Sequence, residues 1–459
     1  MLTRLQVKGF KNLLDVDIRF GPFTCIAGRN AAGKSNLFDA IRFLHLLTQH
    51  PIMEAVKLLR ETKGRSPESR SLFTAFGDFV APEMSFVADL LIERNVQDDF
   101  GVTAQAAIST LRYELAFRLS NEEGIERLEL ARESLTPIKQ EEARRNLGFP
   151  SSTRFKDSTV LGRRVGDFIS TIESESRPQI KVHQEGHGGK TVPAPKSTRT
   201  VLGGLASSDF PTILAAHREM ESWRTLLLEP SAMRSPALYS DQRRIDIRGA
   251  NLPATIERLR KNEAQKGQVY ASLANKLSDL IDDVRELQVR DDERTETFTL
   301  EVRGRDGVLH PAVSLSDGTL RFLVLATLAI DPETKGIICL EEPENGIHPE
   351  RIPAMIRLLE DIAVDPDYGV DNDNPLRQVV INTHSPVVMG NVNREDVVYI
   401  DETNTGVGGT LGRVALPRVA ANTWRARLQK DLLPLSLGEV RPYLMDPKGQ
   451  ILMDFVGVE

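Results

Sequence analysis

Apolar and polar residues alternate over 2–9 and 14–20, and Phe23-Thr-Cys-Ile-Ala27 is a short β-rich run ending at a glycine, so the chain opens with three predicted strands. The period then changes. Leu37, Ala40, Ile41, Leu44 and Leu47 recur at three- and four-residue spacing, which sets them on one face of a helix beginning near Ser35. Alternation returns over Met84–Glu93, Leu111–Leu119 and Ile125–Leu135, predicting antiparallel strands that extend a β-lobe. From about 136 to 295 the chain is polar, loop-broken and then helical, with Gly, Ser, Pro and Thr crowded into 183–209 and a helical pattern from Leu252 to Leu287. That reads as an inserted, largely helical lobe, flexible in its middle.

Beyond it, Phe298–Leu309 has the pattern of a hairpin around Gly304–Gly307. Gly336-Ile-Ile-Cys-Leu340 and Gln378-Val-Val-Ile-Asn382 are near-continuous apolar runs, as expected of parallel strands buried on both faces, and Arg351–Ile362 lies between them as a helix. The expected fold class is α/β: a mostly parallel core sheet plus an antiparallel β-lobe, in an N-terminal part (1–135), the insertion (136–295), a C-terminal part (296–400) and a tail (401–459).

Composition narrows the class. The 459 residues carry 58 Lys+Arg against 65 Asp+Glu, a formal charge of −7, and 40% are hydrophobic, an ordinary globular balance with room for two to four domains. A mildly acidic chain is not built chiefly to coat nucleic acid or an anionic membrane. Cys25 and Cys339 lie in apolar runs and read as reduced core residues, too few for a disulfide framework or a Cys-rich zinc site. Charges come too early for a signal peptide. The most apolar stretch, Leu320–Ile330, contains Arg321 and falls short of the ~20 residues that cross a bilayer, so a cytoplasmic location without membrane contact is expected.

Gly28, Arg29, Asn30, Ala31, Ala32, Gly33, Lys34 and Ser35 spell G-x-x-x-x-G-K-S between a predicted strand and a predicted helix. In that pattern the glycines let backbone N–H groups face phosphate oxygens and the helix N-terminus adds a favourable dipole; the lysine neutralises the β/γ-phosphates and the Ser hydroxyl ligates Mg²⁺. A second Gly-Lys-Thr at 189–191 has Gln184 where the first glycine belongs and reads as a loop; His183 and His187 lack the helical setting of a zinc pair.

Glu341 and Glu342 end an apolar strand, at the sheet edge where doubly wound folds bind ligands. Glu341 would hold Mg²⁺ through water, and Glu342 would orient or polarise the water attacking the γ-phosphate. Ser314-Leu-Ser316-Asp-Gly318-Thr-Leu-Arg321 opens an apolar helix and reads either as an N-cap with a glycine turn or as a second phosphate-recognising helix N-terminus. His384 follows an apolar strand at the same edge and reads as a γ-phosphate sensor. The loop carrying Asp365, Asp367, Asp371 and Asp373 lacks the glycine and glutamate of a calcium loop and reads as solvated surface.

Taken in order, Gly28–Ser35, Leu315–Thr319, Ile337–Glu342, Asn345–Pro349 and His384 resemble the ABC-type ATPases, within them the RecF and structural-maintenance-of-chromosomes (SMC) branch. They are most similar to the compact bacterial ATPases related to the overcoming-lysogenization-defect (OLD) family that lack a Toprim domain. Lys8-Gly-Phe-Lys-Asn12-Leu is similar to that branch's opening strand. The resemblance covers about 1–135 and 296–400 and implies an ABC-type P-loop ATPase head with ATP and Mg²⁺ as cofactors. It further implies a head-to-head dimer or higher homo-oligomer with two ATP molecules sandwiched between heads. Asn12, residues 28–35 and Asn36 would hold nucleotide from one side, and Ser316 and Gly318 from the opposite head. Asn345 and His348 would lie in the D-loop across the interface, and His384 would be the switch histidine. The glutamine expected in a Q-loop before the strand at Met84 has no counterpart in 51–83.

The function this suggests is an ATP-hydrolysing switch controlling a protein effector, such as a nuclease encoded nearby, in phage defence. The alternative is a DNA repair, recombination or chromosome-maintenance ATPase binding nucleic acid directly, with Arg144, Arg145, Arg154, Lys156, Arg163 and Arg164 as candidate contacts. A transporter's nucleotide-binding domain would have far less chain between P-loop and signature. A Toprim-type nuclease would need a further acidic metal cluster after His384, so the chain is expected to hydrolyse ATP without cutting nucleic acid.

Overall fold

The computed structural model describes the chain except residues 60–68, 123–124, 173–177, 184–188, 195–196, 263–267, 279–283, 408–409, 431 and 436–459. A seven-stranded sheet runs in the order Arg224–Leu226, Gly336–Glu341, Arg377–Thr383, Phe23–Gly28, Val397–Val407, Thr410–Ala420, Pro434–Leu435. Its first five strands are mutually parallel. The central three, Gly336–Glu341, Arg377–Thr383 and Phe23–Gly28, are rich in apolar residues because each feeds two cores alternately. Ile26, Ile337, Cys339, Val380, Val398 and Ile400 pack on one side with the P-loop helix, Lys34–Gln49. Cys25, Ala27, Ile338, Leu340, Val379, Ile381 and Tyr399 pack on the other with the signature helix, Asp317–Ile330, and the helix Ile352–Ile362. The two helices that open with the candidate phosphate-binding motifs thus lie on opposite faces of one sheet.

An eight-stranded antiparallel sheet shares the core of the P-loop helix. It runs Gly189–Pro193, Gln179–His183, Ile169–Ile172, Ile125–Pro137, Thr110–Glu122, Met84–Leu91, Leu2–Phe10, Leu13–Arg19. Phe43 of the helix lies with its ring centre 5.8 Å from those of Phe86 and Phe117, and Phe10 lies 5.4 Å from Phe86. This aromatic cluster clamps the helix between the sheets.

Residues 136–295 differ from the expected separate helical lobe. Their strands 169–172, 179–183 and 189–193 continue the antiparallel sheet, and Arg224–Leu226 pairs with Ile338–Leu340 in the parallel one. The helix Pro211–Glu221 packs on the P-loop helix, with His45 Nδ1 3.1 Å from the Met220 carbonyl oxygen. The strand signal was there in Ile169, Ile180 and Val182, all fully buried, but the polar residues around them hid it. Lys190 lies in one of these strands, opposite Val182, whereas His187 lies outside the described residues.

The pattern over Leu252–Leu287 resolves into helices Leu252–Lys261 and Val269–Ser278 and a strand, Glu286–Asp292, whose Leu287 and Val289 pair with Val302 and Leu300. The tail also differs from expectation. Val397–Val407 lies beside the P-loop strand, and Arg425 is buried, its guanidinium donating to the carbonyls of Arg19 and Glu395 and to the Thr24 hydroxyl. Cys25 and Cys339 are buried free thiols. Among the described residues no helix is long and apolar enough to cross a membrane.

Candidate nucleotide site

The P-loop strand ends at Gly28 (φ 151°), the chain turns through exposed Arg29, Asn30 and Ala31, and the helix begins after Gly33 (φ 110°). Both glycines answer a backbone need. A Cβ on Gly28 would stand 2.3 Å from the Ile400 carbonyl oxygen of the adjacent strand, and one on Gly33 would run into the Asn12 side chain. Asn12 ties the loop to the β-lobe, accepting from Asn36 Nδ2 at 2.8 Å and donating to the Ala32 carbonyl at 3.2 Å. Lys34 is buried and curls over the loop, its Nζ donating to the carbonyls of Gly28 and Arg29 at 2.8 Å each. Burial lowers its pKa against the opposing pull of Glu342 and Glu344. Ser35 is exposed on the first turn of the helix.

Parallel pairing delivers the acidic groups. Arg377–Thr383 and then Gly336–Glu341 lie beside the P-loop strand, so His384 and Glu341–Glu342 leave the sheet at the same edge as Gly28. Glu341 shares the parity of Ile337 and Cys339 and so faces the P-loop helix. Burial and the like charges of Asp39 and Glu342 raise its pKa, against Arg42. A carboxylate and a serine hydroxyl are both suitable donors for a hard cation such as Mg²⁺.

Glu342 adopts φ 44°, and its N–H donates to the Asn382 carbonyl at 3.0 Å and to Asn382 Oδ1 at 3.1 Å. A non-glycine residue held there marks stored strain of the kind functional sites keep. Its carboxylate accepts from Asn345 Nδ2 at 2.8 Å and lies 2.6 Å from His384 Nδ1. Burial alone would raise its pKa; the Asn345 amide, His384 and Lys34 outweigh burial and leave it below the ordinary value.

Glu344 is a site residue that sequence reasoning missed. Its carboxyl is buried, takes the Thr383 hydroxyl on Oε1 and leaves Oε2 without a partner, and burial raises its pKa. The Glu-Pro-Glu spacing was the available signal, but only the sheet puts Glu344 against the residue preceding His384. Asn345, expected across an interface, bonds to Glu342 of its own chain, and exposed His348 lies 3.7 Å from Glu350.

Ser316 caps the signature helix, its Oγ accepting the Thr319 N–H at 3.2 Å. A Cβ on Gly318 would stand 3.1 Å from the Gly346 carbonyl oxygen, and Asp317 pairs with Arg234. The structure therefore gathers Asn12, the 28–36 loop, Glu341, Glu342, Asn345 and His384. Ser316, which is exposed, and Gly318 stay with the core on the opposite face of the sheet. Among the described residues no group of three or more His, Cys, Asp or Glu could hold a metal, so cation binding here would draw on Ser35, Glu341 and phosphate oxygens together.

A family model described as "AAA domain, putative AbiEii toxin, Type IV TA system" matches residues 145–390. The chain belongs to this AAA-domain family. A second AAA-domain model matches residues 4–57 of the same AAA-domain protein, the part that holds the P-loop. A 41-residue stretch is 54% identical to the OLD nuclease of Thermus scotoductus, covering 9% of this chain and 8% of the nuclease. A 138-residue stretch is 29% identical to protein ea59 of Escherichia phage lambda, covering 30% of this chain and 23% of that one. The chain thus matches less than a quarter of the length of either relative.

Among solved structures, the SMC head bound to the C-winged helix domain of ScpA is similar at TM-score 0.44 and 13% identity, covering 90% of this chain and 97% of that one. The SMC head domain from Thermotoga maritima is similar at TM-score 0.37 and 16% identity, covering 90% and 98%. The family models and the OLD segment agree with the ordered motifs: the protein is of the AAA ATPase type and shares a segment with the OLD nuclease.

Proposed function

We propose that this protein is an ATP-hydrolysing switch whose two copies close head-to-head around two Mg²⁺–ATP molecules, and that opening and closing controls a protein effector. The observation that carries this reading is the division of the site. Lys34, Glu341, Glu342 and His384 converge at one sheet edge, while Ser316 and Gly318 begin a helix packed on the opposite face. A second copy offering Ser316 and Gly318 to the loop completes what one chain leaves open.

In the closed state Lys34 would turn from the Gly28 and Arg29 carbonyls to phosphate oxygens, and Ser35 and Glu341 would hold Mg²⁺. The metal supplies charge neutralisation at the phosphates. Glu342, ionised at neutral pH, would align and deprotonate the attacking water, with His384 and Asn345 fixing its orientation. The putative-toxin description of the family and the segment shared with the OLD nuclease support an output in phage defence.

Subunit mixing tests the composite site. Lys34→Ala and Ser316→Arg proteins, each inactive alone, should regain part of the ATPase activity when mixed, because a hybrid dimer contains one site with both halves intact. Heterodimers that form and stay inactive would overturn the proposal.

A further inference from the structure

The phosphate end of the site leaves the nucleoside end open, and resting on the ATP reading above, strand order points to where it goes. Glu342 and His384 come from the two strands on one side of the P-loop strand; Val397–Val407 lies on the other. A nucleotide whose γ-phosphate reaches Glu342 and His384 must carry its nucleoside off towards Val397–Val407. A cavity of about 320 Å³ opens there, lined by Arg29, Ala32, Asp401, Glu402, Asn404 and Arg413. That volume is at the low end for ligand pockets and suits part of a nucleotide.

The lining is arranged by register. Val398 and Ile400 face the core of the P-loop helix, so Glu402 and Asn404, of the same parity, continue that face, with Arg413 paired opposite Asn404. Asp401 is committed to Arg418 at 3.3 Å. Among the described residues the side chains of Glu402, Asn404 and Arg413 have no hydrogen-bond or ion-pair partner. The Ala415 N–H donates at 2.9 Å to the carbonyl of Asn12, whose side chain bonds to Ala32 of the loop, so the hairpin and the loop are joined through one residue.

A carboxylate is an acceptor-only group and suits paired hydroxyls; an amide offers one acceptor and two donors and matches the amino-and-ring-nitrogen edge of adenine, where guanine shows two acceptors. We propose that the hairpin 397–420 reads the nucleoside: Glu402 accepts the ribose hydroxyls and Asn404 the adenine edge.

Calorimetric titration with ADP, 2′-deoxy-ADP, GDP and pyrophosphate, none of which needs turnover, tests it. Wild-type protein should bind ADP about tenfold tighter than 2′-deoxy-ADP, as expected for one hydrogen bond to a charged group. Glu402→Ala should bring that ratio to about one, and Asn404→Ala should narrow the ADP-to-GDP ratio. Both should leave pyrophosphate affinity unchanged. Ratios in both variants equal to wild type, with pyrophosphate bound normally, would overturn the nucleoside assignment alone. Lys34→Ala protein that keeps wild-type affinity for pyrophosphate and ADP would instead overturn the P-loop reading on which it rests.

Discussion

Glu342 concentrates the chemistry of the site in one residue: a left-handed backbone, an N–H tied to Asn382, and a carboxylate held between Asn345 and His384. Replacing it with Gln keeps the shape and removes the negative charge. Glu342→Gln should bind ATP, hydrolyse it at least ~100-fold more slowly, and accumulate as a dimer; single-turnover hydrolysis and light scattering in ATP check it. Lys34 differs in kind, because among the described residues its ammonium bonds only to two carbonyls of its own loop. Lys34→Ala should keep wild-type thermal stability and lose ATP binding, read by melting and nucleotide titration on the same sample. That Lys34 and Glu342 lie at the same sheet edge was legible in the sequence. The carboxylate's grip by Asn345 was not, since a three-residue step from Glu342 places the amide correctly only once the turn is formed.

At the scale of elements, the P-loop strand and Val397–Val407 are held at a separation only glycine permits at position 28, whose missing Cβ faces the Ile400 carbonyl. Gly28→Ala should lower stability by about 1–3 kcal/mol through backbone strain and abolish nucleotide binding, measured by urea unfolding and ADP titration. Glu133 joins three elements elsewhere. Fully buried, it accepts from the Tyr113 hydroxyl at 2.9 Å and from the N–H groups of Val201 and Leu202 at 2.7 and 2.9 Å. Burial outweighs these three donors and pushes its pKa up to about 7 from 4.5. The folded carboxyl then binds its proton more tightly than the unfolded one, so its contribution to stability is full below about pH 4.5, falls as pH rises to about 7 and is flat above. Glu133→Gln removes that limb. Wild-type stability relative to the variant should therefore decline across this window, by on the order of 3 kcal/mol in total, in urea titrations between about pH 5 and about pH 8.

At the scale of the whole molecule, the P-loop helix is clamped between two sheets, and the signature helix is kept on the far face of one of them. Under the proposed composite site, the same separation would call for a second copy, and nucleotide state would then be read out by the relation between copies. On the proposed reading the carboxylates near the loop serve one nucleotide-bound cation, so the purified chain should hydrolyse ATP and leave DNA and RNA intact; metal-dependent cleavage that persists in Glu342→Gln protein would contradict this. What the sequence by itself determined were the local patterns: glycine–lysine–serine after a strand, paired glutamates and a histidine after apolar runs, and the period change at Ser35, because phosphate loops and buried strands impose their residue types over a few positions. Only the tertiary structure decided what long-range pairing decides. Polar-flanked strands at 169–193 joined the antiparallel sheet, strands 397–407 and 410–420 joined the sheet of the P-loop strand and line a cavity beside Arg29 and Ala32, and Glu344 came to lie against Thr383. Such placements depend on register with strands hundreds of residues away, and a short sequence window holds no signal for a partner it does not contain.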